Sequence, residues 1–225
     1  MTRMFQSVTE TWNCYVGCRF DCDYCWARTL ALTRLKHLPR YQDGFTPHLV
    51  ERELYRKLPS GGFVAVSLMG DIAWATEREL VRILKVIQNH PLTEFLLCTK
   101  DPSIYTSPVF ATAGKHVYFG TTIESNRPYP GTKAPATKDR AEELGHLAHP
   151  HKFLSIEPIM DFDVPAMLAW LESIHPDIIE IGADNYGHHL PEPPQDKIET
   201  LLYFCKKICP DVKIKPGLER LMPDG

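Results

Sequence analysis

No stretch of this 225-residue chain is long and apolar enough to span a bilayer, and the N-terminus lacks the pattern of a cleavable signal peptide. Internal repeats and low-complexity tracts are missing, and no linker divides the chain. The proline-rich stretches at 126–136 and 191–194 read as loops within one domain spanning residues 1–225. Charge of one sign is scarce: the formal net charge of −3 provides no global basic field, which argues against strong non-specific nucleic-acid binding and leaves room only for a local basic patch. Cysteines number seven, and several are clustered like metal ligands rather than spread like a disulfide framework. Taken together, these features predict a cytoplasmic protein.

The informative cluster is Cys18, Cys22 and Cys25, a Cys-x3-Cys-x2-Cys triplet directly after a predicted first strand. Three thiolates at this spacing can hold three irons of a [4Fe–4S] cluster and leave the fourth iron without a protein ligand. An open coordination position separates a cluster that does chemistry from one that only carries electrons. Zinc is the alternative reading. Cys14 would then be the fourth ligand, in Cys14-x3-Cys18-x3-Cys22-x2-Cys25, and the chain would be a non-catalytic, zinc-stabilised binding module. Structural zinc sites are more often built from two separated pairs, and no second Cys-x2-Cys pair follows downstream. Cys205 and Cys209 share one face of a predicted helix with Ile198, Leu201, Leu202 and Ile208, which reads as core packing.

Apolar runs alternate with helical patterns, which predicts an α/β fold with a parallel sheet. The expected strands are 7–13, 62–69, 94–99, 116–123, 152–157, 177–183 and a short seventh at 212–215. Thr76-Glu77-Arg78-Glu79 is a capping-box pattern that opens a helix carrying Leu80, Ile83, Leu84 and Ile87. Thr46-Pro47 predicts another helix, carrying Val50, Leu54 and Leu58, and further helices are expected from Asp163 to about His175, over 137–148 and over 196–209. A complete eight-fold barrel takes about 250 residues, so the expected architecture is a partial (β/α)6-type barrel.

Strand parity sharpens this picture. In a barrel wrapped by helices the outward face is apolar, whereas the inward face is polar only if it lines a cavity. Assigning the apolar alternates to the helices leaves Lys100, Glu124, Glu157, Asp184 and Lys215 pointing inward near the C-terminal mouth. Several charges in a dry core would be costly unless paired, so parity predicts a polar, ligand-holding lumen. Arg52, Arg56, Lys57, Lys206 and Lys207 fall on solvated helix faces, and His188 and His189 belong to a solvent- or substrate-contacting loop.

The triplet, with the aromatic Tyr24 just before its last cysteine, resembles the radical S-adenosylmethionine (SAM) superfamily. Four further segments, Thr11-Trp12-Asn13, Ser67-Leu68-Met69-Gly70-Asp71, Cys98-Thr99-Lys100 and Ser155-Ile156-Glu157-Pro158, resemble a compact group of it common in phages and prophages, near the spore photoproduct lyase branch. The resemblance implies that Cys18, Cys22 and Cys25 are cluster ligands and that Tyr24 lies beside the adenine of SAM. Gly70 and Asp71 match the position of a Gly-Gly-Glu motif that meets the methionine amino group, although this chain offers Met69-Gly70-Asp71. Glu124 and Ser125 sit where ribose or carboxylate contacts are expected. Lys100 and Lys215 would meet the SAM carboxylate or an anionic substrate, Cys98 would return a hydrogen atom to a substrate radical, and Glu157 and Asp184 complete the catalytic candidates. The implied activity is reductive cleavage of SAM to a 5′-deoxyadenosyl radical that abstracts hydrogen from a substrate. An electron donor such as flavodoxin or ferredoxin is the implied partner, with a nucleotide or nucleic acid to be repaired or modified as an alternative substrate reading. Loops 126–136 and 182–189 follow strand ends and would grip the substrate or close over it.

Overall fold

Every one of the seven predicted strands forms, each within a few residues of its expected bounds. The computed structural model describes residues 4–223. Its main sheet comprises β1 (Glu10–Trp12), β4 (Phe63–Val66), β5 (Glu94–Cys98), β6 (Val117–Thr122), β7 (Lys152–Ile156), β8 (Ile178–Ile181) and β9 (Asp211–Ile214), all parallel and neighbours in that order. The sheet curls into a half-barrel. A small antiparallel pair, β2 (Tyr15–Val16) with β3 (His48–Leu49), sits beside it. The helices are α1 (Trp26–Leu32), α2 (Glu77–Gln88), α3 (Thr137–His146), α4 (Val164–Ile174) and α5 (Gln195–Ile208).

Local chemistry accounts for the helix starts. Thr76 and Glu79 make the full reciprocal capping box on α2, and Leu80, Ile83, Leu84 and Ile87 are its buried face. Pro165 occupies the first turn of α4, where a missing N–H costs nothing. Parity is also as expected: Val117, Phe119, Ile123, Leu154, Ile156, Ile179 and Ile181 pack in the main core with the helices, as do Cys205 and Cys209.

Two expectations are corrected. The helix expected from Thr46-Pro47 does not form; the segment is extended at β3 and then makes a single 3-10 stretch, Glu51–Tyr55. The segment's backbone groups are taken by the cysteine region. Cys18 N donates to Phe45 O (3.2 Å), Val50 N to Cys14 O (2.7 Å), and Trp12 Nε1 to Glu53 O (2.8 Å), a carbonyl that a continuing helix would need. The lumen, in turn, is not polar throughout. Deeper in, Phe5, Val8, Phe63, Ala65, Leu96, Phe153 and Ile178 form an apolar plug.

The N-terminal segment supplies part of that plug and bridges the open side of the half-barrel. Gln6 N and Ser7 N each donate to the fully buried Glu180 carboxylate at 2.8 Å, Gln6 Nε2 reaches Ile214 O (3.1 Å), and Thr9 N bonds Phe63 O (2.8 Å). Its Phe5 ring packs edge-on against Phe153 at 4.9 Å. Glu180 is thus an interior charge satisfied by backbone amides rather than by a ligand.

Candidate active site

The site grows from the chain leaving β2. Gly17 lies so close to the backbone of Gly70 that a Cβ on Gly70 would sit 2.7 Å from Val16 C, and the two stretches form a parallel bridge with Gly17 N on Met69 O (3.0 Å) and Asp71 N on Gly17 O (3.1 Å). This fixes the start of the cysteine loop against the C-terminal end of β4. Cys18 Sγ accepts Phe20 N (3.4 Å), and Cys25 is the N-cap of α1, its Sγ accepting Arg28 N (3.3 Å). Cys22, the buried member, meets Thr132 Oγ1 at 3.1 Å. All three thiols are free and share one cluster with Phe20, Tyr24, Met160 and Leu190. Burial, with Asp71 nearby, pushes Cys18 up to about 12, and burial pushes Cys25 up as well. A positive centre is what would make such thiols thiolates.

Cys14 does not join them. It lies in the main core, fully buried, 3.5 Å from Ser67 Oγ and pushed up to about 12 by burial. Among the described residues no group of three or more His, Cys, Asp or Glu side chains is spaced to hold a single metal ion. A cluster gives each thiolate its own iron and does not require the sulfurs to converge on one point. With Cys14 apart, the loop brings together three thiols rather than the four of a closed zinc site.

Beside the loop stands a buried charge network. Tyr24 OH donates to Glu124 Oε1 (3.0 Å), Lys100 Nζ pairs with Glu124 and reaches Tyr24 OH (3.2 Å), and Arg140 Nη1 donates to Glu124 Oε2 (3.0 Å). Burial alone would raise the Glu124 carboxyl, but Arg140 and Lys100 hold it down at about 2. Burial pushes Tyr24 well above its ordinary value, so it stays a neutral donor. A cavity of about 400 Å³ opens here, and Tyr24, Glu124 and Ser125 all line it, together with Arg140, Tyr129 and Met160. A larger cavity of about 520 Å³ at the opposite end of the strands contains none of the expected site residues.

The remaining expected residues divide by location. Cys98 is near Asp71, Lys100 and Glu124, its thiol pushed up to about 12 by burial. The Asp71 carboxylate is fully used locally, accepting Ala73 N (2.9 Å), Thr99 Oγ1 (2.5 Å) and Lys100 N (2.9 Å), and it ties the end of β4 to the end of β5. Ser125 Oγ donates to Asp161 O at 2.6 Å. Glu157 and Lys215 form a separate ion pair across β7 and β9, with burial pushing Glu157 up against the pull of Lys215. Asp184 organises its own loop, accepting Tyr186 N (3.1 Å), His188 N (2.5 Å) and His188 Nδ1 (2.7 Å). Arg140 escaped the sequence reading, because an arginine in a polar helix reads as solvated surface. It is 2% exposed, and besides Glu124 it holds Thr122 O (2.6 Å) and Pro135 O (2.9 Å).

Residues 4–178 match the family described as "Protein of unknown function (DUF5131)". The chain belongs to the DUF5131 family. Both the cysteine loop and the Glu124 network lie within the matched span. A search of curated proteins finds no match. Among solved structures, this DUF5131 chain resembles spore photoproduct lyase complexed with dinucleoside spore photoproduct (TM-score 0.59, 11% identity) and a cysteine-to-alanine variant of that enzyme with the same ligand (TM-score 0.60, 11% identity). A tyrosine-to-phenylalanine variant gives a TM-score of 0.57 at 12% identity. Each of these covers 91% of this chain and 75% of the lyase chain. At this identity the likeness establishes the fold, a half-barrel shared with that enzyme.

Proposed function

We propose that this chain is a radical SAM enzyme in which Cys18, Cys22 and Cys25 hold a [4Fe–4S] cluster. One observation carries the reading: three free cysteines on one loop, two of them already accepting backbone N–H bonds, at the strand C-termini and beside Tyr24 and Glu124. Held by these three cysteines, such a cluster would supply the one-electron chemistry that cleaves S-adenosylmethionine reductively to methionine and a hydrogen-abstracting 5′-deoxyadenosyl radical. The protein's part is orientation and exclusion of water. Tyr24, Glu124 and Ser125 offer an aromatic face, a buried carboxylate and a hydroxyl to the nucleoside, while the backbone at Gly70 and Asp71 offers the contact for the amino end. Lys100 balances a carboxylate, Cys98 stands ready as a hydrogen donor, and Glu157 and Asp184 flank the far side of the mouth. The reductant would be flavodoxin or ferredoxin, and a cytoplasmic setting suits such chemistry. No helix among the described residues is long and apolar enough to cross a membrane.

A second reading, in which the substrate is a nucleotide or nucleic acid, has its own support. Arg19 lies 5.6 Å over the partly exposed Trp74 ring, and Tyr186 is 70% exposed on the 182–189 loop. Exposed aromatics beside a cation are what unstacked bases bind. Spore photoproduct lyase, similar in fold, binds a dinucleoside.

Anaerobic reconstitution followed by a 5′-deoxyadenosine assay under dithionite tests both readings. The wild type is expected to take up iron and sulfide, give a reduced-cluster EPR signal and release 5′-deoxyadenosine. Alanine at Cys18, Cys22 or Cys25 is expected to abolish all three. Stimulation of cleavage by nucleosides or single-stranded DNA or RNA would support the second reading, and stimulation by none of them would remove it. Stoichiometric zinc with no cluster signal would overturn the radical SAM assignment.

A further inference from the structure

Cys18 and Cys25 take their sulfur hydrogen bonds from their immediate neighbours, Phe20 N and Arg28 N. Cys22 takes its bond from Thr132, 110 residues further along the chain, at 3.1 Å. This contact belongs to a larger seam. The 126–136 segment lies along the cysteine loop, with Asp23 N donating to Gly131 O (2.9 Å), Lys133 N to Phe20 O (2.6 Å), Tyr129 OH to Asp23 Oδ2 (2.6 Å) and Lys133 Nζ to Asp21 Oδ2 (2.9 Å). At Gly131 even a methyl group would collide with Asp23 Oδ2, at 2.1 Å. From behind, Arg140 secures the far end of the segment through Pro135 O.

We propose that segment 126–136 is a fixed strap over the cysteine loop and that Thr132 is a positioning residue that donates a hydrogen bond to the Cys22 sulfur and thereby tunes the bound cluster. The proposal rests on the cluster reading above. In the free thiol either partner can donate, and when the cysteine does, Thr132 Oγ1 gives its one proton to Phe20 O at 3.4 Å. A coordinated thiolate has no proton, so the threonine hydroxyl must then be the donor. Its bond from Ala134 N (3.0 Å) is one it accepts, and turning its single proton to the sulfur gives up only the long contact to Phe20 O, a carbonyl that Lys133 N already meets at 2.6 Å. A donor on a ligand sulfur withdraws charge from the cluster and favours the reduced state, which carries one more negative charge.

The test uses Thr132→Val and Thr132→Ser in the full chain, reconstituted to equal iron and sulfide content and titrated redox-potentiometrically with EPR detection. Thr132→Val is expected to lower the reduced-to-oxidised ratio at a fixed potential roughly three- to tenfold, the worth of one net hydrogen bond, while Thr132→Ser stays near wild type. Equal ratios in all three proteins would overturn the tuning role. A metal-free arm reads the strap without a cluster, by iodoacetamide labelling of each cysteine followed by mass spectrometry. Because ionisation differs among the three thiols, each is compared with itself: Tyr129→Phe is expected to speed Cys22 several-fold over wild type while Cys18 and Cys25 keep their wild-type rates. A Cys22 rate that is the same in wild type and Tyr129→Phe would overturn the strap. Failure of every variant and the wild type to take up iron, with Cys22 still protected, would sink the cluster reading and the tuning role while leaving the strap standing.

Discussion

Glu124 illustrates how a single residue here depends on its setting. Alone, its burial would be prohibitive; with Arg140, Lys100 and Tyr24 around it, the carboxylate is held at about 2. The folded value lies below the ordinary 4.5, so the unfolded chain binds the proton more readily. The stabilisation is therefore complete above about pH 4.5 and lost as pH falls toward about 2. We predict that wild-type stability declines through this window by about 3 kcal/mol from this group. In Glu124→Gln the decline should be shallower and the starting stability at neutral pH lower, as urea unfolding at a series of pH values would measure. The sequence displayed Glu124 through parity, whereas Arg140 was hidden because a lone basic residue in a helix carries no mark of burial.

At the scale of elements, the cysteine loop is held by neighbours on both sides: the β4 terminus through Gly17 and Gly70, the 45–50 segment through Phe45 and Val50, and the 126–136 segment. Gly70→Ala is predicted to break the Gly17 bridge, costing about 1–3 kcal/mol for its two backbone hydrogen bonds, and to reduce iron uptake on reconstitution. Gly145→Ala is the control. Its Cβ would meet nothing nearer than 3.4 Å inside α3, so its stability should stay level or rise by up to about 1 kcal/mol. Equal thermal midpoints for the two variants would refute this. The capping box of α2 was legible because its signal is local. The extended 46–50 segment was not, since its hydrogen-bond partners lie some thirty residues away and outweigh a local Thr-Pro helix start.

For the whole molecule, the open sheet leaves a gap between β1 and β9, and the N-terminal segment bridges it with Phe5 as its wedge. Phe5→Ala should lower the free energy of unfolding by about 3–5 kcal/mol, as for a large aromatic removed from a core, with little change in the denaturant slope. An unchanged urea midpoint would mean that the segment is decoration rather than part of the barrel.

The sequence by itself determined the parallel α/β half-barrel, the outward apolar face and the close spacing of the thiol triplet, because periodicity, caps and cysteine spacing are properties of neighbouring residues. Only the tertiary structure decided which polar residues meet. It joined Tyr24, Glu124, Lys100 and Arg140, sent Asp184 to its own loop and Glu180 to the N-terminal amides, and laid Thr132 on Cys22. Such pairings join residues up to 174 positions apart. They depend on the register and curl of a whole sheet, to which no short window of sequence has access.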